Sequence, residues 1–215
     1  MQFFDLETFP SGDAETWYKN ESDYQQGEAE RCPVCGAFVS MLSWLAPCRV
    51  YLRLPGMNFA DFVFGESGGD VLVSQKFRDI YHQRGLTGIT AFDPVTVLGV
   101  ESRRRNLSLP PQYYRILVTR GRPKLDVVAS GFEWDARPTC SHCHSGNIKR
   151  WKRLVLEPSS WTGEDIFNPV GLCGTIMVSE RFKQACDENG ITNAIFTPAE
   201  EAAHDSYPWE TQKPC

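Results

Sequence analysis

Val71-Leu72-Val73-Ser74-Gln75-Lys76-Phe77 runs from a short apolar strand through a serine into a helix, and the same text recurs as Ile176-Met177-Val178-Ser179-Glu180-Arg181-Phe182. Branched residues ahead of the serine favour extended chain. The serine side chain can accept an orphan amide hydrogen of the first helical turn. Phe77, Ile80 and Tyr81 stand at i, i+3 and i+4, as do Phe182, Ala185 and Cys186, so the helices predicted over 74–84 and 179–189 each carry one apolar face. Gly85 and Gly190 stand where a left-handed residue ends a helix. Gly85-Leu86-Thr87 answers Gly190-Ile191-Thr192 at the same offset of 105. Helices this short need a sheet beneath them.

Further out lie two Cys-x-x-Cys units, Cys32-Pro33-Val34-Cys35 and Cys140-Ser141-His142-Cys143, offset by 108. A turn of this kind brings two thiolates to one side, and two such turns supply the four sulfurs that a structural zinc ion prefers. The expectation is one Zn2+ held by Cys32, Cys35, Cys140 and Cys143, with His142 and His144 as alternative ligands. Gly36 follows the first unit and suits the positive φ of the turn, whereas His144 occupies that place in the second. A redox pair would need a buried strand ahead of the motif, and the polar stretch 25–31 is not one. A disulfide framework belongs to short secreted chains. Cys48, Cys173 and Cys186 read as small buried hydrophobes, and Cys215 carries no such signal.

Between these landmarks, 49–54, 95–100, 113–119, 125–129 and 151–156 are rich in branched and aromatic residues and read as strands. Arg120-Gly121-Arg122-Pro123-Lys124 reads as a turn between two of them. The fold class expected is α+β: a mostly antiparallel sheet with few short helices, internally duplicated and stapled by zinc knuckles. A length of 215 residues fits a single domain, 1–215, built from two pseudo-repeats over about 30–100 and 112–200 and joined near Pro110-Pro111, with an acidic segment at 1–30.

The net charge is −5. Residues 1–30 hold eight acids against one lysine, residues 187–215 six against one, and the middle holds 20 bases against 13 acids. Acidic ends around a basic middle do not make a chain built throughout to coat a polyanion. No apolar run reaches the roughly 20 residues of a membrane span, and the N-terminus has no basic-then-apolar leader. A protein without membrane insertion or a secretory signal is therefore expected.

The basic runs Arg103-Arg104-Arg105 and Lys149-Arg150-Trp151-Lys152-Arg153 raise a nucleic-acid role, and the acidic ends make it less favoured. Glu164 and Asp165 are adjacent carboxylates, which usually point apart rather than share acid–base work. There is no phosphate-binding Gly-x-x-x-x-Gly-Lys, no His-Glu-x-x-His and no Gly-x-Ser-x-Gly. A zinc ion closed by four thiolates leaves no position for a reacting water, so the chain is not expected to be an enzyme. Glu15, Trp17, Tyr18, Glu21, Asp23 and Tyr24, aromatics among acids, are the candidate surface for a partner.

The paired Cys-x-x-Cys units, Gly69-Asp70-Val71-Leu72-Val73-Ser74, Trp161-Thr162-Gly163-Glu164-Asp165-Ile166-Phe167 and Ser179-Glu180-Arg181-Phe182-Lys183 followed by Gly190-Ile191-Thr192-Asn193 resemble the double-CxxCG motif family of myxobacteria. These are immunity proteins for swarming-inhibition toxins. The resemblance spans about residues 30–200 and departs at His144. It implies a non-catalytic cytoplasmic inhibitor that binds and neutralises a cognate protein toxin. The reading from another class is a zinc-ribbon nucleic-acid-binding or transcription adaptor, which a basic middle gathered on one exposed face would favour.

Overall fold

The computed structural model describes residues 1–7, 16–56, 58–65, 70–103, 107–136 and 138–205. Thirteen strands and two helices follow in chain order among them. Six strands close into a barrel: β2 (Trp17–Asn20), β3 (Cys48–Leu54), β4 (Phe62–Gly65), β5 (Val71–Ser74), β6 (Ile89–Ser102) and β7 (Tyr113–Val118), in the order β2-β3-β6-β7-β5-β4. A second sheet takes β1 (Phe3–Leu6), β8 (Arg120–Lys124), β11 (Ile166–Val170), β12 (Ile176–Ser179) and β13 (Phe196–Pro198), in the order β13-β1-β12-β11-β8. β9 (Glu133–Trp134) and β10 (Ile148–Arg150) form a separate hairpin.

The α+β expectation is thus corrected to a mostly β fold around a closed six-stranded barrel. The helices, α1 (Gln75–Gln83) and α2 (Glu180–Glu188), have nine residues each. Antiparallel pairing predominates, but closure depends on two parallel pairs, β3 with β6 and β2 with β4. The segment read as a turn, 120–124, is an edge strand parallel to β11. Pro123 is tolerated there because an edge strand has one unpaired side. Of the segments read as strands over 125–129 and 151–156, only the isolated bridges Leu125–Leu156 and Trp151–His204 form.

Alternation explains the barrel interior. Along β3, Cys48, Val50, Leu52 and Leu54 are buried while Arg49, Tyr51 and Arg53 face out. The inward set joins Tyr18, Val63, Leu72, Val95 and Tyr113 beneath Trp44. β4 and β5 are buried on both faces, because their outer residues Phe62, Phe64, Val71 and Val73 pack against α1, α2 and the second sheet. Phe4, Leu6, Ile166, Ile176 and Val178 come from that sheet. Its opposite face, with Phe167 and Met177, meets Leu125, Phe132, Leu154 and Ala202. The layers are barrel interior, barrel wall on sheet, and sheet on irregular chain.

The two strand–helix units meet where Phe77 and Phe182 touch at 5.7 Å between ring centroids. Ser74 and Ser179 cap their helices, each accepting an N–H from Phe77 or Phe182 at 3.2 Å. Each serine in turn donates to a buried aspartate: Ser74 to Asp61 at 2.6 Å and Ser179 to Asp165 at 2.8 Å. The aspartates also reach across. Asp61 accepts from the Thr192 N–H at 3.1 Å, and Asp165 from the Thr87 N–H at 2.9 Å. Lys76 pairs with Asp61 at 3.3 Å and Arg181 with Asp165 at 2.9 Å. A buried carboxylate is tolerated when hydrogen bonds and a cation satisfy it, and each unit supplies part of the other's set.

Candidate metal centre and adjoining cleft

Both Cys-x-x-Cys units sit at the ends of hairpins. The first lies beyond the bridges Gln26–Trp44 and Arg31–Phe38, and Trp44 anchors its base in the barrel. The second lies between β9 and β10, whose Trp134 and Ile148 pack against the core on the far side of the second sheet. In the first turn the Gly36 N–H reaches the Cys32 carbonyl at 2.9 Å, and in the second the His144 N–H reaches that of Cys140 at 3.1 Å. Gly36 has φ +74° and His144 φ +50°. The histidine therefore adopts the left-handed conformation that the turn requires, and the departure from glycine leaves the turn intact.

The hairpins bring the four sulfurs together. Cys32 and Cys140 Sγ are 4.0 Å apart, Cys35 and Cys143 Sγ are 3.6 Å apart, and all four lie within 4.8 Å of one another. A disulfide needs about 2.05 Å, and the four are free thiols. Sulfurs on a tetrahedral ion with bonds of about 2.3 Å would stand about 3.8 Å apart, close to the spacing observed. The Val34 N–H points to Cys32 Sγ and the Ser145 N–H to Cys143 Sγ, each at 3.4 Å. N–H groups of Cys143 and His142 pull the Cys140 thiol down to about 6, whereas burial pushes Cys143 up to about 12. This donor set could hold a metal ion, and its closure leaves no protein-free position. His142 and His144 are not part of it.

Beside the cluster opens a cleft of about 1230 Å³ between the two hairpins and the second sheet. Phe38 and Met41 stand on one wall, Ile148 and Trp151 on another, and Asp5 and Glu7 at the sheet. Burial, and then the Glu7 charge, push the Asp5 carboxyl up to about 6. The cleft's arginines are engaged: Arg31 stacks on Phe38 at 4.1 Å from the ring centre, and Arg120 approaches Glu30 at 3.8 Å.

The candidate partner surface disperses. Tyr18 is buried in the barrel, stacked on Trp44, and donates to the Asp70 carbonyl at 3.0 Å. It is therefore no surface residue: its place on β2 points it inward. Trp17 is half-buried, and Glu21 pairs with Arg49 at 3.4 Å. Glu21, Asp23 and Tyr24 line a small hollow of about 240 Å³, and Glu15 lies outside the described residues. Cys48 and Cys186 are buried as expected, but Cys173 is exposed in a turn. Cys215 lies outside the described residues. Of the basic run at 149–153, Lys149 pairs with Asp135 at 2.7 Å and Arg150 with Glu133 at 2.6 Å. Arg104 and Arg105 lie outside the described residues. Asp165 turns inward to accept from Ser179, the N-cap of α2, while the Glu164 carboxylate accepts from Thr162 at 2.6 Å. The roles of Asp61 and Asp165 were not read from the sequence, although Asp61-Phe62 and Asp165-Ile166 keep an offset of 104, within one residue of the helices' offset.

No curated protein matches the chain. The family described as the immunity protein family (Imm11) matches residues 43–201, well over half of the chain. The chain belongs to this immunity protein family. Among the described residues, no helix is long and apolar enough to cross a membrane.

Proposed function

We propose that, as a member of the Imm11 immunity family, this chain binds and neutralises a cognate protein toxin by covering it, without catalysis, and that Cys32, Cys35, Cys140 and Cys143 hold a structural zinc ion. Family membership over residues 43–201 is the observation that carries the reading. The closed set of four thiols supports its second half, because zinc in such a set is a folding element rather than a reaction centre. The ion would clasp a hairpin rooted in the barrel to one rooted in the other layer. The organisation we infer is one domain of two pseudo-repeats, about 30–100 and 112–200, supported by the matching contacts of Asp61 and Asp165.

The swarming-inhibition toxins suggested by the myxobacterial resemblance are the partner class we favour, met in the cytoplasm. The test is co-expression with the toxin encoded beside this gene. Cells carrying the chain survive induction, and cells carrying an unrelated immunity protein do not. Equal killing in both overturns the reading. A zinc-ribbon adaptor would present its basic run openly, and the ion pairs of Lys149 and Arg150 weigh against that.

A further inference from the structure

Val34, Phe38, Met41, Leu42 and Leu45 are between 42 and 68 % exposed, and they are five of the twelve exposed large hydrophobic residues in the described chain. All five fall within twelve residues of the first hairpin. Scattered apolar residues on a surface need no explanation, but a gathered patch marks an interaction site. Phe38 and Met41 line the cleft beside the cysteine cluster, facing Ile148 and Trp151, whereas Leu45 lines the small hollow with Tyr24.

The cleft has a second feature. Asp5 and Glu7 lie two residues apart at β1 and its end, so they share one face of the strand. Glu7 accepts from Thr197 at 2.8 Å. The Asp5 backbone is held in the ladder between β12 and β13, but its carboxylate has no hydrogen bond or ion pair among the described residues. Arg31 and Arg120 line the same cleft, and their partners are Phe38, Gly36 and Glu30 rather than Asp5. The cleft thus offers an apolar wall and a carboxylate pair short of a cation.

We propose that this cleft is the toxin-docking surface, and that it takes an apolar segment of the toxin bearing a lysine or arginine that reaches Asp5 and Glu7. The proposal rests on the reading of the chain as a toxin-binding immunity protein and deepens it by naming the surface and the chemistry. The patch supplies the desolvated contacts that dominate affinity, and the carboxylates select a cationic partner. A cleft of about 1230 Å³ is larger than the roughly 300–1,000 Å³ of a small-ligand pocket and suits a peptide segment. The cysteine cluster would hold its two walls at a fixed distance.

The test measures binding of the full-length chain to the toxin encoded beside its gene. Phe38→Glu with Met41→Glu should weaken the affinity at least 100-fold, and Asp5→Asn at least tenfold. Leu98→Glu, exposed on β6 away from the cleft, should leave it unchanged. Metal content and the unfolding midpoint report folding, and Asp5→Asn removes charge with little change in shape. If the wild-type chain neither binds nor protects, the functional reading fails and the docking surface with it. Normal protection with unchanged affinity in the Phe38/Met41 and Asp5 variants leaves that reading standing and overturns the surface. Light scattering adds a further outcome: a wild-type dimer that becomes monomeric on Phe38→Glu would assign the patch to a second copy and likewise overturn the proposal.

Discussion

Replacing Asp165 by alanine tests whether the motif Trp161–Phe167 supports the fold rather than chemistry. The Asp165 side chain is 4 % exposed. It accepts from Ser179 Oγ at 2.8 Å, the Thr87 N–H at 2.9 Å, Thr87 Oγ1 at 3.3 Å and Arg181 at 2.9 Å. Arg181 is 56 % exposed, so after screening its pair contributes only about 0–1 kcal/mol. The larger loss is the Ser179 hydroxyl and the Thr87 N–H, left without acceptors at about 1–3 kcal/mol each. The sum is about 2–7 kcal/mol, at about 2–4 °C of Tm for each kcal/mol in a chain of this size. Asp165→Asn, which keeps an acceptor oxygen, should lose less, about 1–2 kcal/mol. Urea unfolding followed by tryptophan fluorescence measures both. Asp61→Ala should behave like Asp165→Ala, since Asp61 accepts from Ser74, the N-cap of α1, and from the Thr192 N–H in the same way. A loss under about 1 kcal/mol for Asp165→Ala, or reduced toxin affinity of the folded fraction, would refute this reasoning.

Gly88 has φ +110°, and an added Cβ would meet the Ile166 carbonyl oxygen at 1.9 Å. Gly88→Ala should therefore cost more than about 3 kcal/mol in chemical denaturation. Gly36→Ala, with φ +74° and open space around it, should cost only about 1 kcal/mol. Asp5, raised to about 6 by burial and Glu7, binds its proton more tightly folded than unfolded. Its charge therefore lowers stability fully above pH 6, and the cost vanishes below about pH 4. Asp5→Asn should accordingly stabilise the chain by about 1–3 kcal/mol at pH 7.5 and by almost nothing at pH 4, as read from denaturation at the two values. Elemental analysis should find about one zinc per wild-type chain. It should find far less after Cys140→Ser, with a Tm lower by more than about 5 °C.

Local signals in the sequence were legible where local chemistry decides the structure. Ser74 and Ser179 announced the helix starts because capping is set within four residues, and the Cys-x-x-Cys turns announced the four-sulfur cluster. The barrel was not legible. Its closure depends on β3 beside β6 and β2 beside β4, and alternation along one strand says nothing about which distant strand it will join. Residues 120–124 misled because Gly121 and Pro123 are turn formers, whereas the sheet edge accepts both. Cys173 was read as buried from residue type alone, and its turn exposes it. Asp5 and the first hairpin line one cleft only through the tertiary fold, whereas the aromatics and acids over 15–24 are neighbours in the chain, around barrel strand β2.

The most direct test of neutralisation by cover is a titration of the purified toxin with the purified chain, following residual toxin activity. Neutralisation by cover should give a linear fall to zero at one chain per toxin, with active toxin recovered when the complex is dissociated. Complete inactivation by a small fraction of an equivalent, or toxin left covalently altered after separation, would contradict it.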